Sequence, residues 1–329
     1  MARLEWAGAS HVGKVRTGNE DQFVAGAPVF LVADGMGGHD RGDIAAGIVA
    51  DSFSALVGIP DVDIDMVERA LTDAQKAVRR LARRLPTEHD MGTTLVALIR
   101  LGAGPHARWL MVNVGDSRAY RLVEGELEQI SVDHSLVQEM VAAGSITASE
   151  ARTHRDRNIV TRAVGIEEGV VADFTYLDII PGERFLLSSD GVHGELTDEQ
   201  IRVLLTRSLD PQSAVDGLVE AVLRGNARDN LTVVVVDSLV DEEDVVGEAA
   251  RSEDDTSPIA VEDDEELSVE SVDPDVVTEL STTTEPPPTP SVEIDAVPFF
   301  GDDSPVPAEP PSGTERSPAQ EMIDGVPEL

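Results

Sequence analysis

Residues 29–39 read VFLVADGMGGH, an apolar run that stops at an aspartate and continues through glycines to a histidine. A run of this length, rich in Val, Leu and Phe and ended by glycines, predicts a buried strand. Such a strand would deliver the carboxylate of Asp34 to a loop. On its own the Asp34-Gly35 pair is just as typical of a turn that only reverses the chain.

The same pattern recurs along the chain. Residues 184–191 read RFLLSSDG, so Asp190 also follows an apolar run and precedes a glycine. A third run, WLMVNVGD, ends on Asp116, and Asp229 lies just before the run LTVVVV. Four aspartates at the edges of predicted strands favour one shared site over four unrelated turns.

Composition narrows the class of protein. The chain has 329 residues and no cysteine, which excludes disulfides and thiolate metal sites and leaves carboxylates and histidine as candidate metal ligands. The N-terminus has no basic region followed by an apolar core, and nowhere do the roughly eighteen uninterrupted apolar residues of a membrane span occur. We therefore predict a cytoplasmic protein that does not span a membrane.

The negative charge is concentrated in the last part of the chain. Of the formal charge of -38, residues 241–329 carry -25, from 27 Asp and Glu against two Arg. The same segment holds thirteen of the nineteen prolines and shows no apolar periodicity. A segment of this kind buries too little apolar surface to offset the entropy of ordering it. We predict a catalytic domain at 1–240 and a disordered acidic tail at 241–329.

Nucleic acid is not an expected partner, because contacts to phosphate groups of the backbone need clustered Lys and Arg. The only dense basic cluster is KAVRRLARR at residues 76–84. Its apolar residues recur at helical spacing, so we interpret it as the solvated face of a helix.

Periodicity predicts a layered α+β domain of about 240 residues, with two antiparallel β-sheets packed as a sandwich and pairs of α-helices outside, in α-β-β-α layers. Residues 145–170 fit neither pattern, and we interpret them as a surface excursion. The predicted helices are 44–57, 64–85, 135–143, 197–205 and 214–223. The predicted strands around and after the opening run are 93–101, 107–114, 117–123, 174–180, 184–189 and 231–237.

Converging carboxylates would repel one another strongly unless a cation offset their charge. Oxygen ligands alone favour Mg²⁺ or Mn²⁺, and the glycine at Gly35 would let a backbone carbonyl approach an ion. Two such ions about 3.5 to 4 Å apart can activate a bridging water for in-line attack on phosphorus. The chemistry that this pattern indicates is hydrolysis of a phosphate ester.

Two further side chains are candidates for the same reaction, each with an ordinary alternative. Arg16 could grip a phosphate group in a bidentate manner, or it could be a common surface arginine. His39 could protonate the leaving oxygen, or it could be a loop histidine with a local hydrogen bond. Spacing alone does not decide either case.

Taken in order, eight segments resemble the metal-dependent serine/threonine protein phosphatases of the 2C type, in their bacterial form. The resemblance covers roughly residues 5–238. The segments are RTGNED (16–21), VADGMGGH (32–39), MGTTL (91–95), VGDSRAY (114–120), DHS (133–135), RNIVTRAVG (157–165), SSDG (188–191) and RDNLTVVVV (228–236).

The resemblance implies a β-sandwich flanked by helix pairs, with a binuclear Mn²⁺ or Mg²⁺ centre at one end. It implies that Arg16 grips the phosphate and that residues 144–165 form a flap. The metal-binding roles that it implies are Asp34 as the bridge, Gly35 through its carbonyl, Asp190 and Asp229 as direct ligands, Asp21 and Glu20 through water, and Asp116 at a third, weaker site.

The chain departs from the family pattern in two places. Gly194 stands four positions after Asp190, where the family usually has another aspartate, so the third metal site lacks an expected ligand. Eukaryotic members place their proposed acid histidine directly after the Asp-Gly pair, where this chain has Met36.

The function that these features favour is hydrolysis of phosphoserine and phosphothreonine in proteins, counteracting Ser/Thr protein kinases. One alternative is a binding or regulatory module with a weakened site that acts through its acidic tail. Another is a phosphodiesterase or nuclease, which the acidic surface disfavours. The tail could be a solubilising linker, or it could recruit a phosphothreonine-reading partner through Thr282, Thr283, Thr284 and Thr289.

Overall fold

The structure is a computed structural model that describes residues 3–37, 41–84 and 91–239. His39 and the predicted tail at 241–329 lie outside these ranges, so the roles predicted for them, and the predicted domain limit at 240, stay predictions. Among the described residues, no helix is both long enough and apolar enough to cross a membrane.

Two antiparallel sheets form the centre of the fold. The first sheet has the strand order β1 (Arg3–His11), β11 (Leu231–Leu239), β10 (Arg184–Ser188), β7 (Arg118–Val123) and β8 (Glu126–Gln129). The second has the order β2 (Asp21–Gly26), β3 (Val29–Met36), β5 (Leu95–Leu101), β6 (Arg108–Val114) and β9 (Asp173–Asp178), and the short β4 (Gly92–Thr93) pairs with the end of β3.

Helices cover the outer faces of both sheets. The pair α1 (Gly42–Ser54) and α2 (Ile64–Ala82) shares an apolar core with the second sheet. The pair α6 (Asp198–Arg207) and α7 (Pro211–Arg224) shares one with the first sheet. The remaining short helices are α3 (Leu136–Ala142), α4 (Ala148–Ala151), α5 (Asp190–His193) and a 3₁₀ turn at Gly104–His106.

A third apolar core lies between the sheets, where Phe30, Trp109 and Phe185 pack together. The rings of Trp109 and Phe185 meet edge to face with their centroids 5.5 Å apart. Alternate residues of β3 contribute to different cores, since Phe30 points between the sheets and Leu31 packs on the side of the helices. Burial on both faces explains why the strands read as continuous apolar runs.

The predicted α+β sandwich with outer helix pairs is confirmed, and the boundaries differ in detail. The predicted strand 93–101 is divided at Thr94 into β4 and β5, and β1 was not predicted because residues 3–11 mix polar and apolar side chains. The prediction that the opening strand delivers Asp34 to a loop was wrong. Strand β3 continues through Asp34 to Met36 because β4 supplies a further pairing partner.

The surface excursion returns to the core at two bridges. After α4, Val160 pairs with Ser135 and Val164 pairs with Thr93. Arg152 at the end of α4 donates a hydrogen bond to the carbonyl of Leu196, at 3.3 Å. The excursion is therefore tied to β4, to the start of α3 and to the segment after α5, and its action as a flap stays a prediction.

Candidate active site

Strands β2 and β3 bring the first two carboxylates together, because Asp21 and Asp34 are directly opposite each other in the ladder. Thr94 then fixes Asp34 from the other side. Its hydroxyl accepts from the Asp34 amide at 2.9 Å, and its amide donates to the Asp34 carbonyl at 2.9 Å. The Asp34 carboxylate thus projects from a rigid strand, and this rigidity suits a group that must hold fixed geometry.

Gly35 lies where three pieces of backbone meet. A Cβ atom at this position would lie 2.2 Å from the carbonyl carbon and oxygen of Gly42 and 2.6 Å from the carbonyl oxygen of Glu20. The Gly35 amide donates to the Glu20 carbonyl at 3.2 Å. The glycine therefore permits close packing of β2, β3 and the start of α1. The predicted contact of its own carbonyl with an ion stays a prediction.

Asp21 is buried and unevenly hydrogen bonded. One carboxylate oxygen, Oδ2, accepts from the hydroxyls of Ser189 at 2.8 Å and Thr232 at 2.7 Å. The other oxygen, Oδ1, is buried and has no hydrogen-bond partner. Burial raises the pKa of Asp21 to about 6, against the lowering effect of the two hydroxyls. A buried carboxylate oxygen without a partner is costly unless something with positive charge faces it.

Asp190 comes from the second apolar run but is the first residue of the one-turn helix α5. The glycine after it is again required by packing, since a Cβ on Gly191 would lie 1.9 Å from the carbonyl oxygen of Asn230. Burial, followed by the charges of Asp116 and Asp229, raises the pKa of Asp190 to about 8.

Asp116 lies in the turn between β6 and β7. Next to it, the hydroxyl of Ser117 is hydrogen bonded to that of Thr94 at 2.7 Å, so this turn is tied to the residue that also fixes Asp34. Burial, followed by the charge of Asp133, raises the pKa of Asp116 to about 6.

Arg16 and Asp229 form an ion pair at the edge of the carboxylate group. The guanidinium Nη2 donates to Oδ2 of Asp229 at 2.8 Å, and Oδ1 accepts from the amide of Asn230 at 2.9 Å. The hydrogen bond to Asp229 raises the pKa of Arg16, which also feels the charges of Glu20 and Asp190. Arg16 is about half exposed, with 52% of its side chain accessible, so an incoming anion can reach it.

Electrostatics shows that the aspartates form one group. Burial raises the pKa of Asp34 well above its ordinary value, and four further carboxylates add to this effect. In order of their contribution they are Asp21, Asp190, Asp116 and Asp229. The structure thus brings together all four aspartates that follow or precede the apolar runs, together with Asp21.

The residues fit a site for hard divalent cations in their chemistry. All the donors are oxygens, which Mg²⁺ and Mn²⁺ prefer, and a cation would offset the repulsion that raises these pKa values. Within residues 3–37, 41–84 and 91–239, no three His, Asp or Glu side chains already surround a single point as a finished ligand set. Asp229 faces Arg16 and Asp21 faces two hydroxyls, so binding would require these carboxylates to reorient or to share their oxygens.

The other predicted residues are placed as follows. The backbone of Glu20 accepts from Gly35 and donates to the side chain of Asn230 at 2.9 Å. Gly194 is exposed at the end of α5, and its amide donates to the carbonyl of Asp190 at 2.8 Å. Before it, burial lowers the pKa of His193 well below its ordinary value, so this imidazole is neutral.

Sequence reasoning missed the hydroxyl and amide side chains that orient the carboxylates. The Thr232 hydroxyl donates to Asp21, so Ser10 must donate to Thr232, at 2.7 Å, and Asn19 donates to Ser10 at 2.8 Å. These side chains therefore form a series of hydrogen bonds in which each donates to the next and the last donates to Asp21. The sequence offered a signal for most of these residues, because the quoted motifs contain Asn19, Thr94, Ser189 and Thr232.

Comparison with known proteins agrees with this geometry. A family model described as protein phosphatase 2C matches residues 7–229. The chain belongs to the protein phosphatase 2C family. It is 37% identical over 239 residues to the serine/threonine protein phosphatase PstP of Mycobacterium tuberculosis, covering 71% of this chain and 45% of PstP. The chain thus spans less than half the length of this relative.

Two further comparisons cover nearly all of the other protein. Protein phosphatase PhpP of Streptococcus pneumoniae is 31% identical over 237 residues, covering 68% of this chain and 94% of PhpP. The crystal structure of the PstP catalytic domain in complex with two manganese ions superposes with a TM-score of 0.66 at 35% identity. It covers 72% of this 2C-type chain and 99% of the domain.

Proposed function

We propose that this protein is a metal-dependent phosphatase that hydrolyses phosphoserine and phosphothreonine in proteins. The observation that carries the proposal is the convergence of Asp34, Asp190, Asp116 and Asp229 with Asp21 beside one accessible guanidinium. Two Mn²⁺ or Mg²⁺ ions bound there would supply Lewis acidity and an activated water for attack on phosphorus. The relative whose catalytic domain carries two manganese ions supports this choice of metal.

The residues divide the work according to their placement. The charges of all four other carboxylates act on Asp34, so we assign it the role of serving both ions, with Asp190 and Asp229 as further direct ligands. Asp21, at the start of β2, and Glu20, just before it, would act through bound water. The carbonyl of Gly35 would complete the set, and Asp116 would serve a third, weaker site.

Arg16 would bind the substrate phosphate. Its guanidinium is anchored to Asp229 by one nitrogen, so its remaining donors can reach the non-bridging oxygens of a phosphate group. The same contact joins Arg16 to Asp229, a proposed metal ligand. One carboxylate would therefore contact both the metal and the arginine that binds the phosphate. A role for His39 as the acid that protonates the leaving oxygen remains part of the proposal.

The cellular setting is proposed from the chemistry. Phosphorylated proteins would be the substrates and Ser/Thr protein kinases the opposing enzymes, in the cytoplasm. The domain would end near residue 240, and the acidic tail at 241–329 would be a solubilising linker or, after phosphorylation of its threonines, a segment that recruits a partner. Mass spectrometry of the tail from cells with active kinase distinguishes these two roles.

A catalytically weakened binding module remains the alternative, with Gly194 as its one supporting feature. It is disfavoured because all the other predicted carboxylate ligands are present in the sequence. Nothing in the geometry favours a phosphodiesterase or nuclease, since residues 1–240 carry a formal charge of -13.

The direct test is release of inorganic phosphate from a phosphothreonine peptide with Mn²⁺. Asp34→Asn should lower kcat/KM by more than about 100-fold, the upper range for a group that only supports a metal ligand. Asp51→Asn, at an exposed position of α1, is the matched control and should keep full activity. Equal rates for wild type and Asp34→Asn would overturn the assignment.

A further inference from the structure

One buried histidine connects the turn of Asp116 to the surface excursion. His134 lies in the loop after β8 and is only 5% exposed. Its backbone amide donates to the carbonyl of Gly115 at 2.9 Å, and its side chain reaches two further parts of the fold. The proposed phosphatase chemistry assigns no role to this residue.

The inner end of the imidazole fixes the residue before Asp116. The amide of Gly115 donates to Nδ1 of His134 at 3.1 Å, so Nδ1 carries no proton. Gly115 has φ +104°, a conformation that favours glycine, and a Cβ there would lie 2.6 Å from the side chain of Thr94. The turn is therefore held on one side by His134 and on the other by Thr94.

The outer end of the imidazole faces an ion pair. Because Nδ1 is unprotonated, the neutral ring carries its proton on Nε2, which donates to Oδ2 of Asp173 at 3.1 Å. Arg162 donates to Oδ1 of Asp173 at 3.1 Å; the same guanidinium nitrogen lies 3.1 Å from Nε2 but, because Nε2 carries the proton, forms no hydrogen bond with it. Asp173 thus holds a histidine and an arginine together with its two oxygens.

Arg162 belongs to the returning part of the excursion, whose backbone is also tied to the same loop. The amide of Thr161 donates to the carbonyl of His134 at 2.8 Å. The side chains of Arg162 and Asp173 are each nearly half exposed, so their ion pair is weak and opens easily. The Gly115 contact is buried. The exposed ion pair of Arg162 with Asp173 is therefore the weaker contact of this linkage, and the buried hydrogen bond from Gly115 to His134 is the stronger one.

We propose that His134 is a positioning residue that transmits the position of the excursion, through Arg162 and Asp173, to the Gly115–Asp116 turn. When Arg162 holds Asp173, the carboxylate fixes the tautomer and orientation of the ring. When that ion pair opens, the ring loses this support and its bond to Gly115 weakens. The consequence for the reaction is that the excursion controls how firmly the Asp116 carboxylate is held.

Two substitutions separate the ends of the ring. In His134→Asn, the amide oxygen lies near the place of Nδ1 and can still accept from Gly115, but the side chain is too short to reach Asp173. In His134→Gln, the amide nitrogen can reach Asp173, and the acceptor for Gly115 is lost. Arg162→Gln removes the charge at the outer end, and Arg155→Gln, an arginine of the excursion with 89% of its side chain exposed, is the matched control.

The first measurement is hydrogen exchange of the Gly115 amide in the full chain without metal or substrate, so its outcome does not depend on the proposed function. Arg162→Gln should speed this exchange by about two- to fivefold, the range for loss of an exposed ion pair. Arg155→Gln should have no effect, and Arg162→Gln should have no effect in the His134→Asn background. The linkage would be overturned if Arg162→Gln left the Gly115 exchange rate unchanged in the wild-type background. It would also be overturned if Arg162→Gln raised that rate equally in the wild-type and His134→Asn backgrounds.

The second measurement is the Mn²⁺ dependence of peptide hydrolysis, which rests on the proposed function. His134→Gln should raise the Mn²⁺ concentration for half-maximal rate by a factor of about three or more while KM for the peptide stays the same. His134→Asn, which keeps the acceptor for Gly115, should have the same Mn²⁺ dependence as wild type. If His134→Gln accelerates Gly115 exchange and leaves the Mn²⁺ dependence unchanged, the positioning role is overturned although the contact exists.

Discussion

Two segments of this 2C-type protein share an apolar run that ends in Asp-Gly, yet they fold differently. Asp34 lies within β3, which continues to Met36 because β4 pairs with it. Asp190 instead begins the one-turn helix α5. The first carboxylate is thereby held between neighbouring strands, and the second is held at the start of a short helix that ends at the exposed Gly194.

What the two segments have in common is close backbone packing. The Cβ missing from Gly35 would lie 2.2 Å from the Gly42 carbonyl, and the one missing from Gly191 would lie 1.9 Å from the Asn230 carbonyl oxygen. In both places a second element of the fold approaches directly beside the aspartate. The shared pattern therefore marks a site where two backbones meet next to a carboxylate, and it does not specify the secondary structure.

The largest expected effect on stability comes from adding a methyl group at these two glycines. Gly35→Ala and Gly191→Ala should each lower the free energy of unfolding by about 3 kcal/mol, because the added methyl group must displace backbone atoms. Gly47→Ala in α1, where a Cβ would have no neighbour within 4 Å, should instead raise it slightly. Urea denaturation of the three variants measures this, and a tolerated Gly35→Ala would refute the packing account.

The next largest effect is expected in the pH dependence of stability, to which Asp21, the partner of Asp34, and Asp190 both contribute. Folding raises the pKa of Asp21 to about 6 and that of Asp190 to about 8. The folded, metal-free protein therefore holds protons that the unfolded chain has released, so its stability falls as the pH rises from about 4 to 8. The fall should reach a few kcal/mol, since one pKa unit corresponds to about 1.4 kcal/mol.

The two carboxylates should contribute unequally to this fall in stability. Because these carboxylates titrate as one interacting group, Asp21→Asn and Asp190→Asn should each reduce the fall in stability between about pH 4 and 8, and the larger reduction is expected for Asp190→Asn, whose pKa is raised further. Saturating Mn²⁺ should flatten the wild-type profile. Stability that rises with pH in the metal-free protein would contradict the shifts.

A smaller effect is expected from the hydroxyls that orient Asp21. Thr232→Val keeps the shape of the side chain and removes one of the two donors to Oδ2, so the free energy of unfolding should fall by about 1 kcal/mol. Thr175→Val on β9, away from the site, is the control. Thermal unfolding with and without Mn²⁺ measures the difference, and identical midpoints for Thr232→Val and wild type would rule out this support.

The smallest effect concerns the end of the second segment. Gly194→Asp would add a carboxylate beyond α5, and we expect Mn²⁺ to bind about threefold more tightly at the weakest site, the gain typical of one exposed charge pair. Gly194→Ala reports the effect of the backbone alone, since a Cβ there lies 2.8 Å from the Asp190 carbonyl. If both variants change the affinity equally, the added charge is not the cause.

Much of this arrangement was predictable from the sequence. Apolar runs placed most strands, helical spacing placed α1, α2, α6 and α7, and the recurring aspartates indicated that one site would gather them. The extension of β3 was not predictable, because its partner β4 is a two-residue strand more than fifty positions away. The ion pair of Arg16 with Asp229 was equally hidden, since the two residues are 213 positions apart.

The most direct test of the central claim is calorimetric titration of the full chain with Mn²⁺ at pH 7, in two buffers with different ionisation enthalpies. We expect two ions to bind per chain with net release of protons, because the pKa of Asp190 is raised to about 8 and that of Asp34 is also raised by burial and neighbouring carboxylates, and bound metal requires the ionised groups. Asp34→Asn should abolish binding of both ions, and Asp190→Asn should weaken it. Binding without proton release, or unchanged binding in Asp34→Asn, would contradict the account.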